Sequence, residues 1–388
     1  MSGAGCQPVP PGNTEFGCNV ETRAKQLLGL DIQQLTDMVE DFGQPPYRAR
    51  QLFDAIYRRR VIQLEGVTPL PASFRKLLSD NGREVGAPDV ERRFVSSDGT
   101  VRYLLSFRDG QSVETVWMPE GDQGEAGDGS EAGDEEQSRE WQRATICVSS
   151  QVGCAVDCQF CMTALLGLQR NMQPGEIVGQ IIAVLNDQRV EPGNDRINLV
   201  FMGQGEPFLN YENFMAAVRL LVEGVGLSPS RMTVSTAGIV PRIYDFGQER
   251  IRPKLAISLN ASNDGLRDRL MPINRKWNLE KLMGAARDFP LRARERLTFE
   301  YVLLRDVNDA VQNAREVVEL VRGIRCKVNL IALNPGPDIP FEMPEEQRVL
   351  AFQEILMGAG IAAFVRRPRG RDIYAACGQL RKAALKAP

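Results

Sequence analysis

The stretch ATICVSSQVGCAVDCQFC, residues 144–161, joins an apolar, strand-like run to a loop that carries three cysteines. It opens a series in which strand-like and helical runs alternate through residues 143–366. The later strand-like runs are RINLVFMG, MTVSTAG, KLAISLNAS, LTFEYVLLR, KVNLIALNP and IAAFVRRP. With ATICVSS there are seven strand-like runs, and a run of helical periodicity follows every one of them except the last. The sequence therefore predicts six strand–helix units and a parallel sheet with right-handed crossovers.

This alternation predicts an α/β fold. Six units are fewer than the eight of a complete barrel, which leaves a partial (β/α)₆ barrel or an open doubly wound sheet. In both architectures the residues that do chemistry lie at the C-terminal ends of the strands. We therefore expect the cysteine loop, which follows the first strand of the series, to lie at the functional edge of the sheet.

The N-terminal part of the chain has a different pattern. Residues 1–21 are rich in Gly, Pro and Asn and are expected to form a disordered lead-in. Residues 22–95 hold apolar patterns of helical spacing, AKQLLGL first among them, and are predicted to form a helical accessory domain. Its basic stripe suits contact with nucleic acid and a solvated helix face equally well. The stripe consists of Arg48, Arg50, Arg58, Arg59 and Arg60.

Residues 96–142 contain alternating stretches separated by DG turns, which predict a small antiparallel β extension. Within it, residues 119–140 hold nine acidic residues and Arg139 as the only base, so this segment is predicted to be a disordered loop. The α/β series occupies residues 143–366, and residues 367–388 form a basic C-terminal segment. The acidic loop accounts for the net charge of −3 and the remainder of the chain is net basic, so the overall charge does not argue against a nucleic-acid partner.

Composition narrows the class of protein. The chain has 388 residues, 43% of them hydrophobic, without the run of about 18 apolar residues that a membrane helix needs. The N-terminus MSGAGCQPVPPGNTEFG has neither the basic nor the apolar region of a secretory signal. We therefore expect a cytoplasmic protein, in which clustered cysteines are metal ligands or reactive thiols rather than disulfides.

The chain contains no histidine. This excludes Ser-His-Asp and Cys-His nucleophiles, HExxH zinc sites, His-ligated haem and 2-His-1-carboxylate iron, because each of them requires an imidazole. Cysteine remains as the ligand for soft metals and for one-electron chemistry.

The cysteine loop has the spacing C-x₃-C-x₂-C, formed by Cys154, Cys158 and Cys161. Three thiolates on one short loop can each bind one iron of a [4Fe–4S] cube and leave the fourth iron open for a substrate or cofactor. The alternative is a structural zinc site. Its fourth ligand would have to be another cysteine, one of Cys147, Cys326 and Cys377.

A glycine-rich turn, FMGQGEPFLN, follows the second strand-like run. A turn of this kind is by itself no more than a tight corner. Next to the cysteine loop it predicts a second part of one site, because the bare backbone at Gly203 and Gly205 allows close approach and the Glu206 carboxylate can hold an ammonium group.

These elements resemble the radical S-adenosylmethionine (SAM) superfamily, in the cysteine loop with Phe160 before its last cysteine and in the GE turn after the second strand. Longer stretches are similar to one branch, the RlmN/Cfr-type RNA adenine methyltransferases. They are CVSSQVGCAVDCQFCMTALLGLQRN, FMGQGEP, VSTAG, MPINRKWN, VNLIALNP and DIYAACGQL. YRARQLFDAIY and VETVWMP match as well, so that the likeness covers roughly residues 22–380.

The resemblance implies transfer of a methyl group to C2 of an adenine in 23S rRNA and in tRNA, by an enzyme with a partial radical-SAM barrel whose N-terminal domain binds RNA. Transfer to C8, as in Cfr-type enzymes, is the alternative. The implied cofactors are one [4Fe–4S] cluster on the three loop cysteines and two molecules of SAM per turnover.

The resemblance also implies roles for three residues outside the cysteine loop. Cys377 takes a methyl group from one SAM, and a radical formed from the second SAM removes a hydrogen from that methyl group. The resulting methylene carbon adds to the adenine ring and joins the protein to the RNA. Glu114 accepts the ring proton, and a transient disulfide between Cys147 and Cys377 releases the methylated RNA.

For SAM itself the resemblance points to residues at the predicted strand ends. They are Gly205, Glu206, Ser235, Ser258, Leu259, Asn260 and Asn334. Asn260 departs from the family pattern, in which His is usual, and an amide cannot change its charge near neutral pH. Met162 is a second departure, because relatives commonly have a small polar residue there.

The implied partners are 23S rRNA, tRNA and an external one-electron donor such as a flavodoxin or ferredoxin, since the chain has no flavin or nicotinamide fingerprint. No membrane partner is expected, and a monomer is the default. Two other functions remain open at this point. One is a radical SAM enzyme that acts on a different substrate, and the other is a zinc-stabilised RNA-binding module without catalysis.

Overall fold

The computed structural model describes residues 26–119, 141, 143–193 and 195–380. The lead-in predicted at residues 1–21 lies outside the described residues, and so does the acidic loop predicted at 119–140, apart from Pro119.

One ten-stranded sheet forms the centre of the molecule, in the order β1-β2-β3-β4-β7-β8-β9-β10-β11-β12. The strands β1 to β4 pair in antiparallel fashion, and the seven from β4 to β12 pair in parallel. A separate hairpin joins β5 to β6. The strands are β1 Asp89–Val95, β2 Val101–Ser106, β3 Ser112–Pro119, β4 Arg143–Cys147, β5 Gln151–Gly153, β6 Leu168–Asn171, β7 Arg196–Phe201, β8 Met232–Thr236, β9 Lys254–Ser258, β10 Leu297–Leu303, β11 Cys326–Ala332 and β12 Ala362–Arg366.

Within the described residues, ten α-helices accompany the sheet. They are α1 Ile32–Asp41, α2 Tyr47–Phe53, α3 Ala72–Asp80, α4 Pro174–Asp187, α5 Tyr211–Leu220, α6 Val240–Gln248, α7 Asp264–Leu270, α8 Leu279–Asp288, α9 Val311–Val321 and α10 Glu346–Gly358. From β4 onward every connection between neighbouring parallel strands contains a helix, and β12 ends the series. The predicted partial (β/α)₆ barrel is thus confirmed. The antiparallel strands β1 to β3 precede it, and β1 lies within residues 22–95, which were predicted as the helical accessory domain.

The prediction of a helix at AKQLLGL is wrong for its described part. Gln26 forms an isolated bridge with Glu84, and the Leu27 N–H donates to the Glu84 carbonyl at 2.9 Å. Gly29, with φ of +107°, then turns the chain so tightly against α4 that a Cβ on it would lie 2.7 Å from the Gly175 nitrogen. An extended segment that packs this closely cannot follow the helical periodicity of its apolar residues.

The helical N-terminal region docks on the barrel through Tyr57. This residue lies in a π-helical turn, Asp54–Arg58, that continues α2. Its hydroxyl donates to the Leu30 carbonyl at 2.7 Å, and its ring packs against Gly224, which lies in a second π-helical turn after α5.

The two faces of β3 pack against different parts of the molecule, as the alternation of side chains along a strand requires. Val113 and Trp117 belong to the main hydrophobic core, whereas Val116 packs in a small cluster with Cys147 and Ile373. The C-terminal segment therefore lies over the inner face of β3 and β4. No helix of the described ranges is long and apolar enough to cross a membrane.

Candidate active site

Two adjoining cavities lie at the C-terminal ends of the parallel strands. The cysteine-loop cavity is lined by Cys154, Cys158 and Cys161 together with the ends of β7, β8 and β9. The C-terminal cavity is lined by Cys147 at the end of β4 and by residues of the C-terminal segment. Cys377 lines both cavities.

The cysteine loop is held in a tight turn by the hairpin of β5 and β6. The Cys154 N–H donates to the Gly167 carbonyl at 3.1 Å, and the Cys161 N–H donates to the Cys158 carbonyl at 3.1 Å. Gly153 has φ of +77°, and a Cβ on it would lie 1.8 Å from the Gly167 oxygen. Only glycine fits at this position, because any side chain would collide with backbone.

The three thiols of the loop fit an iron–sulfur cluster by the chemistry of the donor set. Burial raises the pKa of Cys154 to about 12 and the pKa of Cys158 well above its usual value, so each thiol keeps its proton until a metal cation displaces it. No three His, Cys, Asp or Glu side chains of the described residues are placed to share a single metal ion. In a [4Fe–4S] cube each cysteine binds a different iron, so its ligands need not converge on one point.

The GQGEP turn brings the ends of β7 and β8 together. At Gly205, where φ is +96°, a Cβ would lie 2.7 Å from the Gln151 nitrogen. The carboxylate of the buried Glu206 accepts hydrogen bonds from the Phe208 N–H at 3.0 Å and the Ala237 N–H at 2.6 Å. Burial nevertheless raises the pKa of Glu206 to about 7, because it costs the charged form more than these bonds return.

Two serines from neighbouring strands meet at the cysteine-loop cavity. The hydroxyls of Ser235 and Ser258 lie 3.1 Å apart, and both residues line the cavity. Asn334 lines it as well, and its buried Oδ1 has no hydrogen-bond partner within the described part of the chain. Buried polar atoms of this kind are normally satisfied. An unpaired acceptor that faces a cavity therefore suits a ligand with polar donors, such as SAM.

Of the two neighbouring residues Leu259 and Asn260, only Asn260 reaches a cavity. Asn260 lines the cysteine-loop cavity, but its Oδ1 accepts from the Val302 N–H at 2.8 Å, so its amide joins β9 to β10. Leu259 is fully buried and lines neither cavity; its backbone carbonyl accepts from the Arg267 Nε at 3.1 Å.

Glu300 is a carboxylate that the sequence analysis missed. It lies in β10, lines both cavities and has its Oε2 3.5 Å from the Ser235 hydroxyl. Desolvation in the cavity raises the pKa of Glu300, against hydrogen bonds from Asn329 and Ser235 that lower it. The signal was present in LTFEYVLLR, because an acidic residue within an otherwise apolar strand is unusual.

Arg267 is the second residue that was missed. It is fully buried in α7, and its guanidinium donates to backbone carbonyls at three places around the site. The acceptors are Leu259 at 3.1 Å, Ala237 at 2.7 Å and Ser258 at 3.0 Å. Burial lowers the pKa of Arg267 to about 10, and the side chain fastens the ends of β8 and β9 to α7.

The C-terminal cavity contains the two thiols expected outside the loop. Cys377 is exposed and Cys147 is buried. Burial and the nearby Cys377 thiol raise the pKa of Cys147 above its usual value. All six cysteines of the described residues are free thiols, and Cys326 lines neither cavity.

Glu114 does not line either cavity. It is fully buried in β3 and forms an ion pair with Arg102 on β2, whose guanidinium also lies 4.2 Å from the centre of the Phe94 ring. Glu114 and Val116 share one face of β3, the face that packs against Cys147.

Comparisons with known proteins agree with this architecture. A sequence model of the radical SAM superfamily matches residues 148–320, and a model of the ribosomal RNA large subunit methyltransferase N-terminal domain matches residues 25–82. The chain is 67% identical over 347 residues to a probable dual-specificity RNA methyltransferase RlmN of Koribacter versatilis, with 89% of this chain and 99% of that protein covered. The chain belongs to the RlmN family.

Other RlmN proteins and a solved structure support this assignment. A dual-specificity RNA methyltransferase RlmN of Solidesulfovibrio magneticus is 43% identical over 92% of this chain and 96% of that protein. The crystal structure of a radical SAM methyltransferase from Sphaerobacter thermophilus is 42% identical and superposes with a TM-score of 0.82, covering 92% of this chain and 99% of that one. Membership of the RlmN family, within the radical SAM superfamily, implies a [4Fe–4S] cluster and SAM.

Proposed function

We propose that the protein methylates C2 of adenine in RNA, at adenosine 2503 of 23S rRNA and adenosine 37 of tRNA. The names of its relatives, dual-specificity RNA methyltransferases, support RNA as the substrate. The observation that carries the proposal is the place of Cys377, which lines the cavity of the three-cysteine loop and also the cavity of Cys147. A methyl carrier must reach both a methyl donor and an acceptor, and this position allows it.

The cysteine-loop cavity is the proposed cofactor site. Cys154, Cys158 and Cys161 would hold one [4Fe–4S] cluster, and two SAM molecules would be used per turnover. When bound, these groups supply the one-electron cleavage of a sulfonium bond that gives a hydrogen-abstracting carbon radical. The strand-end residues, with the unpaired Oδ1 of Asn334 and the hydroxyls of Ser235 and Ser258 among them, would orient SAM.

Cys377 is the proposed methyl carrier. Its exposed thiol, once deprotonated, can attack the methyl carbon of a sulfonium and release the thioether, as other thiolates do. An unactivated amidine carbon of adenine is not nucleophilic enough for that reaction, which is why the methyl group must pass through the protein.

Cys147 is the proposed resolving thiol. Attack of its deprotonated sulfur on the Cys377 sulfur would form a disulfide and break the bond between Cys377 and the methylene carbon, which keeps the electron pair, takes up a proton and leaves as the methyl group of the RNA. Because burial raises the pKa of Cys147, little of this thiol is deprotonated near neutral pH, and a base that removes its proton would speed the attack.

Glu114 is the proposed acceptor of the ring proton. It lies on the face of β3 that packs against Cys147, and the ion pair with Arg102 holds its carboxylate within that face. Since Glu114 is fully buried, we expect the carboxylate to reach the adenine only when RNA is bound.

We propose C2 rather than C8 because the chain has a full helical N-terminal region, which a model of the ribosomal RNA large subunit methyltransferase N-terminal domain matches. We further propose that residues 22–95 bind RNA, that a flavodoxin or ferredoxin supplies the electron, and that the protein acts as a monomer in the cytoplasm.

Single cysteine variants test the proposal. Cys377→Ala should abolish RNA methylation and leave the absorption spectrum of the cluster unchanged, whereas Cys147→Ala should accumulate protein joined covalently to RNA. Cys326→Ala, a buried cysteine outside both cavities, is the control and should retain activity. Full turnover by Cys147→Ala without an adduct, or air-free protein that is colourless and contains zinc, would contradict the proposal.

A further inference from the structure

The C-terminal segment that carries Cys377 is hydrogen-bonded near its start to a turn from a distant part of the chain. The Gly370 N–H donates to Asp98 Oδ2 at 3.0 Å, and Asp98 Oδ1 accepts from the Thr100 N–H at 2.9 Å. Although burial would raise the pKa of Asp98, these hydrogen bonds lower it to about 2, so the carboxylate is charged at neutral pH. Residues 96–100 form the turn between β1 and β2, some 270 positions away along the sequence.

A second carboxylate makes the reciprocal contact, from the segment back to the turn. Asp372 Oδ1 accepts from the Ser96 hydroxyl at 2.5 Å, and its Oδ2 accepts from the Ser97 N–H at 3.1 Å. Asp98 thus accepts one hydrogen bond from each of the two segments, and Asp372 accepts both of its hydrogen bonds from the turn. Both oxygens of each carboxylate are hydrogen-bonded. Such charge-assisted bonds are stronger and more directional than neutral ones.

The other end of the segment is tied to the cysteine loop. The Met162 N–H, directly after Cys161, donates to the Gly378 carbonyl at 2.8 Å. The hydroxyl of the next residue, Thr163, donates to the Leu380 carbonyl at 2.8 Å. Cys377 is therefore preceded by an anchor on the β extension and followed by an anchor on the loop that carries the three cysteines.

Little freedom remains between the two anchors. The Ala375 N–H donates to the Gly370 carbonyl at 2.9 Å and closes a compact turn. A Cβ on Gly370, whose φ is +59°, would lie 2.7 Å from the Ala375 Cβ and 2.9 Å from the Thr100 side chain. The turn of residues 370–375 packs against residues 96–100 and leaves no space for a larger residue at position 370. A shift of residues 96–100 therefore moves the start of the Cys377 segment.

We propose that the β1–β2 turn, residues 96–100, is a positioning element that holds Cys377 between the two cavities through Asp98 and Asp372. This inference rests on the proposed function of Cys377, and the turn acts through Cys377 without contact to a reacting atom. A thiol that must meet SAM in one cavity and Cys147 in the other needs a fixed attachment at the start of its segment. The two reciprocal carboxylate contacts provide that attachment.

The test measures how often Cys377 meets Cys147, independently of RNA. A thiol-bridging reagent, dibromobimane, is added to air-free, cluster-reconstituted protein whose Cys377 carries no methyl group by mass spectrometry, and the Cys147–Cys377 bridge is quantified by peptide mapping. The variant is Asp98→Ala with Asp372→Ala. Asp109→Ala is the matched control, since Asp109 caps the neighbouring β2–β3 turn by accepting from the Gln111 N–H at 3.1 Å, and its Oδ2 accepts from Arg170 of β6 at 2.5 Å rather than from the Cys377 segment.

We expect the double variant to form the bridge about tenfold more slowly, because a loss of positioning lowers the effective concentration of the two thiols, while Asp109→Ala stays within about twofold of the wild type. Ser96→Ala, which keeps both carboxylates, should fall between them. Unchanged melting temperature and cluster absorbance in the double variant would exclude a general loss of structure.

Equal bridging rates in the double variant and the wild type would overturn the proposal, and so would an equal slowing in Asp109→Ala. The outcome is separable from that of the proposed function. If the wild type bridges its two thiols and the double variant does so slowly, the positioning role stands even where no RNA is methylated. If RNA is methylated and bridging does not change, the proposed function stands and the positioning role is wrong.

Discussion

Glu206 illustrates how folding can set the protonation of one side chain. Burial raises its pKa from 4.5 to about 7, so the native state binds more protons than the unfolded state between these two values. The free energy of unfolding that this residue contributes must therefore decrease as the pH rises through that window.

A Glu206→Gln variant should reveal the effect. Relative to this variant, cluster-free wild-type protein should lose about 2–3 kcal/mol in its free energy of unfolding between about pH 4.5 and pH 7, because each unit of pKa shift is worth about 1.4 kcal/mol. The measurement is urea unfolding at a series of pH values. The exposed Glu354→Gln serves as the control, and a difference between wild type and Glu206→Gln that does not vary with pH would contradict the assignment.

Arg267 leads to a second prediction. Its guanidinium serves three backbone carbonyls from two strand ends, and a lysine ammonium cannot reproduce that planar arrangement. Arg267→Lys should therefore lower the free energy of unfolding by about 2–4 kcal/mol, since buried acceptors left without donors cost about 1–3 kcal/mol each.

The loss should also appear in ligand binding. With the ends of β8 and β9 released, SAM affinity measured by calorimetry on cluster-loaded protein should fall in Arg267→Lys. Arg269→Lys, an exposed arginine of the same helix, should match the wild type in both measurements. Wild-type stability together with weaker SAM binding would show that Arg267 acts on the ligand alone and not on the strand ends.

These residues also show which parts of the site can be predicted from a sequence. The three loop cysteines and the GQGEP turn are contiguous motifs, so their chemistry is visible without coordinates. Glu300 and Arg267 belong to no motif, and their importance comes from the burial of a charge among strand ends that are distant in sequence. Glu114 could be proposed from a resemblance, but its ion pair with Arg102 depends on the register of β2 and β3.

At the level of helices and strands, apolar periodicity predicted the alternating strands and helices of the parallel sheet well, because each crossover must bury one face of a helix on the sheet. It failed where backbone contacts override periodicity. The segment AKQLLGL is extended because Gly29 packs on Gly175, and the hairpin of β5 and β6 was not predicted, because β5 has three residues and β6 has four.

Two glycines allow the effect of close packing on stability to be distinguished from the effect of helix propensity. Gly224 lies in the π-helical turn after α5, and a Cβ there would lie 2.7 Å from the Tyr57 Cβ. Gly284 lies within α8 and a Cβ there would meet nothing within 4 Å. The same substitution should therefore have opposite effects at the two positions.

We expect Gly224→Ala to lower the free energy of unfolding by about 1–3 kcal/mol through overpacking against Tyr57. Gly284→Ala should raise it by about 0.5–1 kcal/mol, because alanine loses less conformational entropy than glycine in a helix. Thermal and chemical unfolding of both variants measure this. Equal destabilisation by the two substitutions would show that the docking of Tyr57 does not limit the stability of the fold.

Over the whole molecule, the site combines three regions that are far apart in the chain. The barrel supplies the cysteine loop and the strand ends, the C-terminal segment supplies Cys377, and the β extension holds both Glu114 and the turn that contacts Asp372. Contacts over such separations have no local sequence signal. Residue patterns therefore predicted these regions as separate units, and only the family resemblance implied that Cys377 and Cys147 meet.

The proposed RNA substrate makes a final prediction about charge. Of the five arginines in the N-terminal stripe, Arg50, Arg58 and Arg59 are exposed, whereas Arg60 pairs with Glu191 and Arg48 donates to the Pro69 carbonyl. The three exposed residues are therefore the ones available to contact phosphate, and the other two are held by contacts within the protein.

Replacement of these three arginines by glutamine should weaken tRNA binding and lower the steepness of its salt dependence. Each lost phosphate contact reduces the slope of log K against log salt by about 0.7–0.9, so the triple variant should lose about 2 units of slope if all three arginines contact phosphate. Fluorescence anisotropy with labelled tRNA across a series of KCl concentrations gives both quantities.

A control variant replaces three exposed arginines of the barrel, Arg250, Arg294 and Arg315. If the control loses as much slope as the stripe variant, RNA is drawn to the protein by its overall charge, and the helical N-terminal region has no binding role of its own.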